Sequence, residues 1–125
     1  MSLKIRGIVK KNQGRGKKLG FPTSNIDVPQ DVMDALYLGY TTVAHKAWPS
    51  LIYVGAAETF GDTVKRLETY ILDFQGDLYD QRIEVELVKK LRDNKKFDSG
   101  KELVEQMKKD EEEARRFFAG AQNDK

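Results

Sequence analysis

Arg82–Leu91 reads RIEVELVKKL, the longest alternating run in the chain. Ile83, Val85 and Leu87 point one way while Arg82, Glu84 and Glu86 point the other, the period-two pattern of a strand with one buried face. Just upstream, Leu67–Phe74 (LETYILDF) is a second strand, and Gln75-Gly76-Asp77 turns the chain between the two. Further upstream, Gly39–Ala44 and Trp48–Val54 flank a short polar turn at His45-Lys46 and read as a β-hairpin. His45 is the only histidine; it sits at the hairpin tip and is assigned no role, and Trp48 is expected at the edge of the core. Leu3–Val9 alternates as another strand, Ile26–Val28 is a short extended segment ended by Pro29, and Asp31–Leu36 is irregular or one helical turn. Glu58–Lys65 and Asp93–Phe97 read as loops.

Downstream, Ser99-Gly100-Lys101-Glu102 matches a capping box. Leu103, Val104, Met107, Ala114, Phe117 and Phe118 then recur at helical spacing, the stripe of a helix over about 99–119 that packs on a core. Gly120 is expected to end it, with 120–125 a flexible tail. Lys108–Glu113 is its solvated face, except that Asp110 falls on the apolar stripe, where an unpaired carboxylate is unfavourable. Asp110 is therefore expected to cap or hydrogen-bond loop backbone. About six closely spaced strands followed by one long helix predict a mainly β domain, a small antiparallel barrel with the helix packed outside.

Composition narrows the function. The 125 residues suit a single domain, 1–125, with a modest core. Without cysteine there is neither a disulfide framework nor a thiolate metal site, which suits a reducing cytoplasm. No apolar run is long enough to span a membrane, and no signal peptide is apparent. Twenty-two basic against 20 acidic residues leave a net charge of +2, without the concentrated basic face that nucleic-acid binding requires.

The stretch richest in chemistry is Gly14–Asn25, GRGKKLGFPTSN. Gly14, Gly16 and Gly20 permit positive φ and close approach to a ligand, and Lys17 and Lys18 add charge beside exposed backbone N–H groups. That composition suits an anion-binding nest. It equally suits a glycine-rich hairpin loop with solubilising lysines. It is not a Walker A loop, because Lys18 follows Gly16-Lys17 where Ser or Thr is needed, and its GxGxxxG spacing is not a dinucleotide fingerprint. Thr23 and Asn25 supply neutral oxygens two residues apart, on one side of extended backbone. Hard oxygens of that kind suit Mg²⁺, with water and phosphate completing the shell. Glu68 shares a strand face with Tyr70, Leu72 and Phe74; strand parity alone leaves open whether that face is poised at a polar cleft or turns outward, with Leu67, Thr69 and Ile71 on the core side.

These residues carry a resemblance. RGKKLGFPTSN is similar to the riboflavin kinase signature RGR-x-LGFPTAN, YVGAAETFG at 53–61 is similar to that family's VGTNPTFG, and 67–114 tracks the family nearly without gaps. The resemblance covers roughly residues 3–118. It implies a six-stranded Greek-key barrel with a C-terminal helix, and transfer of phosphate from ATP to riboflavin. On this resemblance Glu68 is the catalytic base, Thr23 and Asn25 are the Mg²⁺ ligands, and Gly14, Gly16, Lys17 and Lys18 belong to the loop over the nucleotide phosphates. Leu78 and Tyr79 fall where the family receives adenine, though such a pair also commonly flanks a turn. Arg92 and Phe97 fall in the loop that closes over the flavin, though Arg92 could equally serve a surface ion pair. The chain departs from the family at Asn12, which stands for glycine, at Ser24, which stands for alanine, and at Ala57-Glu58, which stand for Asn-Pro. Bacterial members are often fused behind an adenylyltransferase domain that makes FAD, and nothing of that domain is recognisable in these residues. The expectation is a cytoplasmic, monomeric enzyme that makes FMN with Mg-ATP and binds neither nucleic acid nor membrane. The rivals are a non-catalytic flavin- or nucleotide-binding barrel and an OB-like barrel for single-stranded nucleic acid.

Overall fold

The computed structural model describes residues 2–11, 14–56, 58–61 and 63–123, so Asn12, Ala57 and the last two residues of the expected tail lie outside the described residues. Six strands are formed: β1 (Leu3–Ile8), β2 (Ser24–Ile26), β3 (Ala35–Val43), β4 (Lys46–Gly55), β5 (Arg66–Ile71) and β6 (Arg82–Arg92). A single helical turn, α1, covers Arg15–Lys18, a 3₁₀ turn covers Glu58–Phe60, and the long helix α2 covers Gly100–Asn123. The strands make one antiparallel sheet in the order β1-β6-β3-β4-β5-β2. β3, β4 and β5 form a meander, and β6 returns beside β3, which is the Greek-key arrangement. The sheet curls into a half-barrel whose two edges meet at one bridge, where the Lys10 N–H donates to the Asn25 carbonyl at 2.9 Å.

Two apolar layers hold this arrangement. Inside the curl, Ile26, Ile52, Val54, Leu67, Ile83 and Val85 are buried together. Outside it, Leu36, Leu38, Leu51 and Leu72 pack against Ala114 and Phe118 of α2. β3 and β4 are therefore buried on both faces. This explains why Ala35 and Leu36 belong to β3 rather than to the irregular segment expected there: two-sided burial removes the alternation that marks a strand. The hairpin turn is Ala44-His45, one residue earlier than the spacing suggested, with φ of 48° and 71°. Two consecutive positive φ angles make the type I′ turn that matches strand twist. His45 is exposed at its tip, and Trp48 packs edge-on against Phe74 at 5.1 Å on the rim of the inner core.

β2 begins two residues before the extended segment expected at Ile26–Val28, because its pairing with β5 runs from Ser24↔Thr69 to Ile26↔Leu67. α2 runs past Gly120 to Asn123. A glycine that stops a helix needs left-handed φ, and Gly120 is not among the positive-φ residues; between Ala119 and Ala121 it stays helical. At the other end, the Glu102 N–H donates to Ser99 Oγ at 3.2 Å, while the Glu102 carboxylate accepts from the Asp98 N–H at 3.3 Å. The cap forms as the sequence implies, with its return bond one residue further upstream.

Candidate active site

Strand register assembles the site. Leu36 lies opposite both Arg92 and Tyr53, Tyr53 lies opposite Glu68, and Glu68 lies opposite Asn25. Directly opposed residues project from the same face, so Arg92, Leu36, Tyr53, Glu68 and Asn25 form one transverse row across five strands. Leu36 belongs to the outer apolar layer, so the row looks toward α2. The parity of β5 is thereby settled. Leu67, Thr69 and Ile71 face the inside of the curl, whereas Glu68 and Tyr70 face outward onto a surface that α2 covers. Glu68 is half-buried at the margin of that cover.

The Thr23 hydroxyl donates to Glu68 Oε1 at 3.3 Å. Thr23 and Asn25 therefore both converge on Glu68, from the residue before β2 and from the middle of β2. Asn25 is only 3% exposed. The preceding loop is tied down by Phe21, whose ring meets Tyr70 edge-on at 5.4 Å. Gly14 and Gly20 carry the positive φ angles expected, 70° and 89°, but Gly16 does not, because it lies within α1. The Lys18 N–H donates to the Gly14 carbonyl at 3.1 Å, so part of the expected cradle is spent on a helical turn. The Lys17 and Lys18 side chains are exposed. Leu19 reaches to the start of α2, where a Cβ added at Gly100 would lie 3.9 Å from Leu19 Cδ2.

The far end of the row is closed by charge. Arg92, the last residue of β6, grips Asp110 of α2 through Nε at 3.0 Å and Nη2 at 2.7 Å, and Gln106 Nε2 adds a third bond to Asp110 at 3.0 Å. Asp110 is thus satisfied by side chains, not by the loop backbone that its place on the stripe suggested. Burial pushes the Arg92 guanidinium down, but the bonds and charge of Asp110 outweigh it and hold the group above its ordinary value. Arg92 Nη1 also bonds the Asp93 carbonyl, so its guanidinium is committed to organising this end of the row. Phe97 is buried, and its N–H donates to Thr59 Oγ1 at 3.1 Å. Leu78 is part of the inner core, whereas Tyr79 is 55% exposed, with its N–H held by Asp77 Oδ1 at 2.9 Å.

Sequence reading missed Tyr53. Its hydroxyl is buried and has no hydrogen-bond partner among the described residues. Burial above all, with Asp110 and Glu68 adding to it against Arg92, pushes the phenol far up, so it stays protonated. Only the pairing of β4 with β5 places it beside Glu68, and no local pattern carries that register.

A carboxylate holding a threonine hydroxyl, beside a buried amide, is equipped to accept a proton next to a cation. Among the described residues no group of three or more His, Cys, Asp or Glu could hold a metal. A hard cation here would be held by neutral oxygens and by a ligand's own anionic groups, and the Thr23–Asn25 pair fits that role. No helix among the described residues is long and apolar enough to cross a membrane.

A family model described as riboflavin kinase matches residues 1–118. The chain is 36% identical over 108 residues to an RNA-binding riboflavin kinase of Bacillus subtilis, covering 85% of this chain and 47% of that protein. It is 34% identical over 122 residues to the bifunctional riboflavin kinase/FMN adenylyltransferase of Escherichia coli, covering 91% of this chain and 37% of that one. The chain thus spans less than half the length of these relatives. The crystal structure of riboflavin kinase from Trypanosoma brucei superposes with a TM-score of 0.70 at 24% identity, over 97% of this chain and 79% of that one. That likeness confirms the fold.

Proposed function

The chain belongs to the riboflavin kinase family, and on that premise we propose that it transfers the terminal phosphoryl group of ATP to the 5′-hydroxyl of riboflavin, giving FMN and ADP. The observation that carries this reading is the convergence of Thr23, Asn25 and Glu68 at one point of the outer face. Phosphoryl transfer calls for a cradle, a cation and a proton acceptor, all correctly positioned. Thr23 and Asn25 would hold Mg²⁺, which would supply positive charge to offset that of the phosphates. Glu68 takes the proton of the 5′-hydroxyl. Its bond from the Thr23 hydroxyl would fix the orientation of the carboxylate beside the Thr23–Asn25 pair. The loop around Gly14, Gly16, Lys17 and Lys18 would lie over the phosphates, with the two lysines free to swing onto them. Arg92, through Asp110, and Phe97, through Thr59, anchor the segment that would border the flavin. Leu78 fixes the turn that presents Tyr79 to the nucleotide base.

The same reading makes the protein a cytoplasmic monomer whose partners are the two small substrates. Its near-balanced charge gives no footprint for nucleic acid. The test is direct: incubate the chain with riboflavin, ATP and Mg²⁺ and separate the flavins by chromatography. FMN should accumulate, no FAD should form, and chelating the metal should stop the reaction. Flavin that binds but is never phosphorylated would favour a binding module instead.

A further inference from the structure

We propose that Tyr53 is a substrate contact: its buried hydroxyl donates a hydrogen bond to a polyol hydroxyl of the acceptor substrate, next to the one that Glu68 deprotonates. This rests on the kinase reading above and names a residue which that reading does not use.

Three observations carry it. First, Tyr53 Oη is buried and without a hydrogen-bond partner among the described residues, although the residue as a whole is only partly buried against the outer layer. Buried hydroxyls nearly always find a partner, and each exception calls for a specific explanation, a role at a functional site among them. Secondly, the position is set by the sheet. Tyr53 is directly opposite Glu68 on the adjacent strand, so the two side chains leave the same face one strand spacing apart, roughly 5 Å. Thirdly, the carboxylates near Tyr53 already serve other donors. The two Asp110 oxygens take Arg92 and Gln106, and Glu68 Oε1 takes Thr23. The neighbourhood therefore offers an unused donor one step along the row from the proton acceptor. A chain of adjacent hydroxyls laid along that row would meet Glu68 at its terminal oxygen and Tyr53 at an inner one. Each hydroxyl can donate and accept, so accepting from Tyr53 does not disturb donation elsewhere.

The Tyr53→Phe variant tests this, because it keeps the ring in the outer apolar layer and removes only the oxygen. Deleting a neutral hydrogen bond made with substrate should raise the KM for riboflavin roughly 3- to 10-fold. The KM for ATP and the turnover number should hold. Riboflavin binding without ATP, read by quenching of flavin fluorescence, should weaken by the same factor. The variant should melt no lower than the parent, because an unpartnered hydroxyl contributes nothing to the free protein. A lowered melting temperature with an unchanged riboflavin KM would make the hydroxyl structural and overturn the proposal. Unchanged kinetics and binding would overturn it as well. If the parent chain neither binds nor phosphorylates riboflavin, both this proposal and the kinase reading fail. If the parent does both and the variant matches it, this proposal alone fails.

Discussion

At the scale of single residues, Glu68 is where reading and geometry can be separated most sharply. Its carboxylate is half-buried, accepts the Thr23 hydroxyl and faces neither the inner core nor open solvent. Glu68→Gln keeps an oxygen for Thr23 and removes the proton acceptor. General-base contributions are typically 10²–10⁴-fold, so the turnover number should fall by about that much while the melting temperature holds. Near-normal turnover would remove Glu68 from the mechanism. A matching loss of stability would instead make it a structural carboxylate. Thr23 and Asn25 were legible as an oxygen pair from spacing alone, whereas the face that Glu68 occupies was not, since strand parity offers two faces and does not say what covers either. The covering element here is α2, which begins 32 residues after Glu68 (100 − 68). No sequence pattern carries a contact of that separation. The same holds for Asp110. Its place on the apolar stripe showed that it must be satisfied, but only the folded register of β6 brings Arg92 to it.

Among the elements, β3 shows how a sheet is shaped by one residue. Its register against β6 shifts between Leu38 and Gly39, a bulge that bends the strand into the curl. At Gly39 an added Cβ would stand 1.8 Å from the Glu86 carbonyl oxygen and 2.9 Å from Ile52 Cδ1. The first of these is backbone and cannot swing away. Gly39→Ala should therefore destabilise by about 3 kcal/mol, the upper range for overpacking, as read from chemical unfolding. An alanine variant as stable as the parent would mean that the two strands are not held this closely. Regular, half-exposed elements were easy to read: β6 alternates because one of its faces is wet over Arg82–Leu87, and α2 is amphipathic because it covers one face of the sheet. The start of β3 was not, because both its faces are dry. The glycine-rich loop was read correctly as a site of positive φ at Gly14 and Gly20, but its lysines also favour helix, and a turn of α1 forms between the glycines.

Across the whole molecule, the two apolar layers differ in what pH can do to them. Among the described residues, the fully buried part of the inner layer holds no ionisable group, with Tyr37 packed at its margin; its buried polar centre is the trio of Thr41, Ser50 and Thr69 hydroxyls, bonded at 2.8 and 2.9 Å. The outer layer depends on polar ties between α2 and the sheet: Arg92 to Asp110, Tyr70 to Glu111 at 3.0 Å, and Arg115 to Asp73 at 3.0 Å. Burial, then the bond and charge of Glu111, push the Tyr70 phenol up to about 12 from an ordinary 10.0. A group whose pKa is raised on folding contributes its full share of stability below the unfolded value and loses it as pH climbs through the folded one. The docking of α2 should thus weaken between roughly pH 10 and 12. In acid the sign reverses. The bond and charge of Arg115 hold the Asp73 carboxyl below 3.8, so that tie persists above the ordinary value and is lost as pH falls through the lowered one. Trp48 is the only tryptophan and packs on the inner layer, so its fluorescence reports the barrel, while far-ultraviolet helical dichroism reports α2. Titrated upward from neutrality, the helical signal should fall at lower pH than the tryptophan signal. Tyr70→Phe, which has no phenolic proton to lose, should move the helical transition toward higher pH and leave the tryptophan transition in place. Coincident transitions in the parent chain would show that the two layers unfold as one unit, and that the ties to α2 do not set its alkaline limit.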